Sequence, residues 1–97
     1  MRPQAIFDEL QNLAIALGYS VRREKGSFRG GGCRVHEKNV IVINMLMPME
    51  SRIIILARVL AGHDIAPLSI KPALRTILER EKKVMDTARE IIGSSEV

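Results

Sequence analysis

The sequence predicts a small α+β domain with the order helix, three strands, helix, helix. Three observations predict it. Apolar residues recur every three or four positions over 3–18, 48–62 and 69–92. Between the first two of these segments, over 19–45, the period falls to two and β-branched residues accumulate. Glycine and proline punctuate the boundaries, at Gly18, Gly30 to Gly32, Pro48, Gly62 and Pro72.

The first helix, 3–18, places Ile6, Leu10, Leu13, Ala14 and Leu17 on one face with Phe7 beside them. Asp8, Gln11, Asn12 and Ala16 lie toward the other side. Pro3 suits a first turn, where its missing N–H costs nothing, and Gly18 suits a C-terminal cap. "YSVRRE" then alternates, with Tyr19, Val21 and Arg23 against Ser20, Arg22 and Glu24. "KGSF" and "RGGG" interrupt it, and "CRVHEKNVIVIN" supplies two further strands around a turn at "EKN". The expectation is a three-stranded antiparallel meander over 19–45.

Pro48 opens the second helix, in which Met49, Ile53, Leu56, Ala57 and Leu60 share a stripe that Ile54, Ile55 and Val59 widen. This marks it as the central helix, ended or weakened at Gly62. "HDIAPLS" connects it to a last, long helix over 69–92, with Ser69 as its cap and Pro72 in its first turn. Ile70, Leu74, Ile77, Val84, Ala88 and Ile91 repeat there, with Glu81 breaking the stripe. Glu79 and Lys83 stand four apart in the favourable order. The expected packing sets the helices 3–18 and 48–62 on one face of the sheet. The long helix lies across them, and its charged second half overhangs, frays or pairs with a second copy, a possible homo-oligomer.

With 97 residues and 46% apolar composition the chain makes one domain with a core of Ile, Leu, Val and Met, since it has three aromatic residues. A core this small gives marginal stability. A single cysteine excludes an internal disulfide, and a free thiol with five methionines suits a reducing compartment. Asp8 and Glu9 stand where a signal peptide needs an apolar run, and "IIILA" is bracketed by Arg52 and Arg58. A membrane span needs about 20 apolar residues. The expectation is a soluble, cytoplasmic protein without membrane association.

The net charge of +4 is unevenly placed. Residues 22–38 hold six cations, Arg22, Arg23, Lys25, Arg29, Arg34 and Lys38, against Glu24 and Glu37, and the rest of the chain is neutral. The three glycines lie inside this segment. A phosphate loop would lead its glycines into a helix N-terminus and end on lysine and serine or threonine; these lead into a strand pattern. A hinge between strands is the simpler reading, since glycine admits positive φ. Arg22, Arg23, Arg29 and Arg34 are the candidate anion-binding residues, because the planar guanidinium fork suits carboxylate and phosphate oxygens. Tyr19 and Phe28 are the aromatics near enough to stack on a base.

Cys33, His36, His63 and Asp64 are the plausible metal ligands. Residues three apart in a strand point to opposite faces, so Cys33 and His36 do not converge. Cys33 shares a face with Val35 and reads as a small buried apolar residue, and His63 with Asp64 reads as a helix-end pair. No second ligand pair completes a zinc site, and no cofactor is expected. For nucleophilic catalysis, strand parity turns Cys33 away from Arg34 and His36.

"NVIVINMLMPMESRIIILARVLAGHD" resembles the strand and helix at the core of small zinc metallopeptidases of the ImmA/IrrE type. The matching residues are Ile43 and Asn44, then Leu56, Ala57, Leu60, Gly62 and His63. The resemblance implies a catalytically dead relative. Arg58 stands where the first zinc histidine would be and Val59 where the general base would be, and His63 follows Arg58 by five residues. The sequence therefore reads as a non-catalytic binding protein that docks an acidic protein surface through its basic Gly-rich hairpin. Nucleic-acid binding through the same face is the alternative, and an unrecognised hydrolase is a third.

Overall fold

The computed structural model describes residues 1–95, and the last turn of its final helix is described as backbone only. Its elements are α1 (Pro3–Ala16), β1 (Ser20–Glu24), β2 (Gly31–Val35), β3 (Lys38–Asn44), α2 (Met49–Ala61) and α3 (Pro72–Ser95). The order matches the expectation. The strand neighbours do not.

The sheet runs β1-β3-β2. β3 is antiparallel to β2, with Cys33 opposite Val40, and parallel to β1, with Val21 opposite Ile41. The expected meander would have paired β1 with β2. Burial explains the difference. "VIVI" in β3 is the most apolar strand and takes the centre, where Val40, Ile41 and Ile43 are buried. β1 and β2, rich in arginine and glycine, take the edges, where solvent tolerates them. The chain therefore crosses over the C-terminal end of β3 between residues 25 and 30 to reach β2.

The hairpin joining β2 to β3 turns at His36 and Glu37, one residue earlier than "EKN" suggests. Both have positive φ, 51° and 66°. This is the backbone of a two-residue type I′ turn, here built without glycine or asparagine.

α1 ends as Gly18 foretells. Gly18, at φ 96°, donates its N–H to Ile15 O, and the Tyr19 N–H reaches Ala14 O at 3.0 Å, a Schellman cap. α1 packs on β1 and α2, α2 lies on β3 and β2, and α3 rests on α2 and touches α1. The layers are thus sheet, then the α1–α2 pair, then α3. The core joins Phe7, Leu10, Ile41, Ile43, Leu56 and Leu60 to Leu74 and Leu78 of α3. Ser69 does not cap α3, which begins at Pro72. Arg75 holds the preceding connector by donating to Ile65 O and Leu68 O, and Lys71 Nζ bonds Glu9 Oε1 on α1 at 2.6 Å.

Glu81 does not interrupt a buried stripe by chance. It is 5% exposed, and its Oε1 accepts from Arg58 Nε of α2 at 3.0 Å. Arg80 Nε stands 3.9 Å from its other oxygen. α3 turns Leu74, Leu78 and Glu81 inward, so the ion pair closes the packing of α3 on α2.

Two stability predictions follow from this packing. Arg58→Met leaves a buried carboxylate short of its partner and costs about 1–3 kcal/mol, reduced from the fully buried case because Arg58 is partly exposed. The double variant Arg58→Met/Glu81→Leu recovers most of that loss, read as the urea midpoint. At the hairpin, His36→Asn/Glu37→Gly relieves two left-handed residues and raises stability by about 1 kcal/mol.

Candidate functional site

The crossover from β1 to β2 is pinned, not a free hinge. Asn44, the last residue of β3, is 4% exposed. Its Nδ2 donates to Gly26 O at 2.9 Å and to Phe28 O at 2.6 Å, and its Oδ1 accepts the Leu46 N–H at 3.0 Å. One amide thus ties the crossover above β3 to the connector that leads into α2. Asparagine suits the position because its amide offers two donors and an acceptor. The Met45 N–H reaches Glu24 O at 2.7 Å, and Arg52 donates to Met45 O and Met47 O, so the connector is held from both sides.

The glycines act through close approach. Gly30 has φ 91°, and a Cβ there would lie 2.6 Å from Val42 O. A Cβ on Gly32 would meet Val59 of α2 at 3.3 Å. Glycine lets β2 bend in against β3 and α2 at its N-terminal end.

This path distributes the candidate arginines. Arg22 and Arg23 are consecutive in β1 and point to opposite faces. Arg22 pairs with Glu24 at 2.7 Å on the open face, and Arg23 bonds Gln11 of α1 at 2.6 Å on the helix side. Arg34 lies on β2, the other edge strand, and donates to Glu37 O at 3.4 Å. Arg29 leaves the crossover toward α2, where it lines a groove of about 150 Å³ with Met47, Ser51, Ile54, Ile55 and Arg58. The four therefore occupy no single face. The structure instead brings Arg29 to Arg58, a neighbour that sequence spacing does not reveal because the crossover creates it. Among the described residues, Arg29, Arg34 and Lys38 have no carboxylate partner within ion-pair distance.

Cys33 is exposed, contrary to the expected burial. The parity with Val35 holds, but the helices cover the opposite face of the sheet, and Val35 is exposed too. His63 does not pair with Asp64. Its Nε2 shares a 2.7 Å hydrogen bond with the Tyr19 hydroxyl, and the two rings meet edge-on. Asp64 accepts the Ala66 N–H. Tyr19 is thereby engaged at the helix layer, and Phe28 folds against Gly26. Arg58 and His63, the positions resembling a peptidase helix, have separate partners in Glu81 and Tyr19. Among the described residues, no three histidine, cysteine, aspartate or glutamate side chains gather as a metal site, and no helix is long and apolar enough to cross a membrane.

No family model, curated protein or solved structure matches the chain.

Asn44 sets the geometry of this region, and its loss is measurable. Asn44→Asp keeps the shape but replaces two donors with an acceptor facing two carbonyls, which lowers stability by about 2–3 kcal/mol. Gly30→Ala forces Val42 O away and costs about 1–3 kcal/mol through both clash and positive φ. In both variants amide exchange accelerates first in residues 25–31, the segment that Asn44 anchors, while the α1–α2 core keeps its protection.

Proposed function

We propose that this chain is a binding module that docks an extended, acidic segment of a partner protein along the free edge of β2. The observation that carries the reading is the coincidence of surplus charge with an accessible strand edge. β2 pairs with β3 on one side only, and its residues Gly31 to Val35 are exposed or half-exposed. An edge strand offers backbone N–H and C=O groups to an added strand. Two glycines at its start leave that backbone unobstructed by side chains.

The rim supports the same reading. Arg29 borders the groove at the N-terminal end of β2, which it shares with Arg58, itself held by Glu81, while Arg34 and Lys38 flank the hairpin end. Main-chain pairing would supply affinity, and carboxylates of the partner would meet the guanidinium groups at both ends. The β1 edge is less suited. There Arg22 is already paired with Glu24, and Arg23 is bound to Gln11. Without the partner no chemistry is needed: the module recognises shape and charge.

The test uses an extended peptide alternating glutamate and valine, followed by amide chemical shifts and hydrogen exchange of the full chain. Binding at low salt protects the outward-facing amides of Gly32 and Arg34, which alternate with those already paired to β3, and the double variant Arg29→Glu/Arg34→Glu weakens it by about tenfold or more. No protection of those amides at any peptide concentration rejects the reading. Tighter binding of single-stranded RNA than of the peptide, with affinity falling linearly in log salt, would assign the same cations to phosphates instead.

A further inference from the structure

α3 outlasts its support. At 24 residues it is about 36 Å long. Leu74, Leu78 and Glu81 are buried against the body, but beyond Glu81 only Met85 is even partly covered as far as Ile91. The unsupported half still carries an apolar stripe. Ile77, Val84 and Ile91 recur every seven residues, the spacing of one coiled-coil seam. Val84 is 46% exposed and Ile91 65%.

The stripe continues into the body. Ile77 and Arg80 line a largely apolar groove of about 300 Å³ with Pro3, Ile6, Ile53, Ile54 and the carboxylate-bearing Glu50, at the junction of the three helices. Arg80, Lys83, Val84 and Thr87 line a second shallow groove further along α3. The two share Arg80, so one shallow track, apolar at Ile77 and Val84 and bordered by Arg80 and Lys83, runs from the base of α3 toward its end.

We propose that this track is covered by a second copy of the chain, with the two α3 helices antiparallel and Val84 near the two-fold axis. Three features of α3 favour a second copy over another partner. Ile77 and Ile91 are equidistant from Val84, so an antiparallel copy sets each Ile77 against the other Ile91 and brings the Ile91 end of one helix to the groove of Ile6, Ile53 and Ile54 on the other. The charges on the flank of the stripe are ordered for the same geometry: Arg80 and Lys83 precede Val84 and Glu90 follows it. In the antiparallel arrangement each flank meets its own counterpart in reverse, so Arg80 and Lys83 of one copy lie beside Glu90 of the other. A parallel arrangement turns these flanks to opposite sides and loses the complementarity. The helix is also neutral where the rest of the surplus charge is not: residues 79–90 hold four cations and four anions, so two copies meet here without net repulsion.

Each contact occurs twice in such an isologous interface. The helix seam alone is small for a specific interface, and the groove at its base extends it. The association is therefore concentration-dependent and is sought across the micromolar range.

Sedimentation velocity of the full chain from about 1 μM to about 500 μM spans that range. The mass is expected to rise from one chain to two, and Val84→Lys or Ile91→Lys to hold the chain monomeric at the highest concentration with unchanged circular dichroism. Both positions are exposed, so the variants fold. The charge-reversed pair Arg80→Glu and Glu90→Arg should weaken association singly and restore it when combined. In a Cys33→Ser background, mixing Ile77→Cys protein with Ile91→Cys protein gives a cross-linked heterodimer on mild oxidation. A monomeric mass across the whole range overturns the proposal, as does a dimer that survives Val84→Lys, or cross-linking confined to like positions.

Discussion

The molecule depends on one constraint: the most apolar strand must lie in the middle of the sheet. β3 buries Ile41 and Ile43 against the helices and leaves both of its edges to be filled. Since β2 reaches it through a two-residue turn, β1 can fill only the far edge, and the chain must pass over the end of β3. That passage brings two connections to one point. A crossover there would leave backbone carbonyls stranded over a buried strand end unless something donated to them. Asn44 does so, with one amide for Gly26 O, Phe28 O and the Leu46 N–H. Gly30 is a consequence of the same geometry, because only a residue without Cβ clears Val42 O.

The same crossover decides where charge goes. A meander would have placed Arg22, Arg29 and Arg34 on neighbouring strands and allowed them one face. With β3 between the edge strands, Arg22 and Arg34 are separated by two strand spacings, about 10 Å, and stand on opposite sides of the sheet. Arg29 is carried toward α2 and acquires Arg58 as a neighbour. The cationic character of the ribbon is thereby divided, with Arg22 and Arg23 on the β1 edge and Arg29, Arg34 and Lys38 around β2. The glycine run thus has two effects: Gly30 permits the tight passage past Val42 O, and Gly31 and Gly32 leave a bare strand edge near Arg29 and Arg34.

Much of this was legible in the sequence. Helical spacing located all three helices, and Gly18 is the C-terminal cap that its place after "ALG" implies. Period-two alternation identified the strands and, for Val21 with Ile41, the faces that meet the core. Alternation reports which way a side chain points and says nothing about which strand lies beside which, so the pairing was not readable from it. The information lay elsewhere, in the contrast between "VIVIN" and the polar or glycine-rich strands. Cys33 shows the same limit: its parity with Val35 is right, yet only the covering helices determine which parity is inside. Glu81 was visible as an anomaly in the stripe of α3. Its partner was not, because Arg58 lies 23 residues away on a different helix. The convergence of Arg29 and Arg58 is of that kind too, produced by topology between residues distant in the chain.

The two proposed surfaces adjoin at α2, where Ile54 lines both the Arg29–Arg58 groove and the groove at the base of α3, and diverge from there. Among the described residues the backbone of α3 lies against α2 and α1 and away from the strands, so the Val84–Ile91 part of its seam and the edge of β2 belong to different layers. Pairing through α3 would leave both β2 edges open, and the dimer would present two copies of the same docking site. A partner bearing two acidic segments would then gain from effective concentration provided its linker spans the distance between the edges. The two associations also rest on different physics. Burial along Ile77, Val84 and Ile91 is not screened by salt; only the flanking pairs of Arg80 and Lys83 with Glu90 are. Docking draws its specificity from carboxylates beside Arg29 and Arg34, screened over roughly 8–10 Å at ordinary ionic strength. Ionic strength therefore separates them. Self-association that outlasts docking as salt rises is the signature of an apolar seam on one helix and a strand edge flanked by Arg29 and Arg34 on another layer.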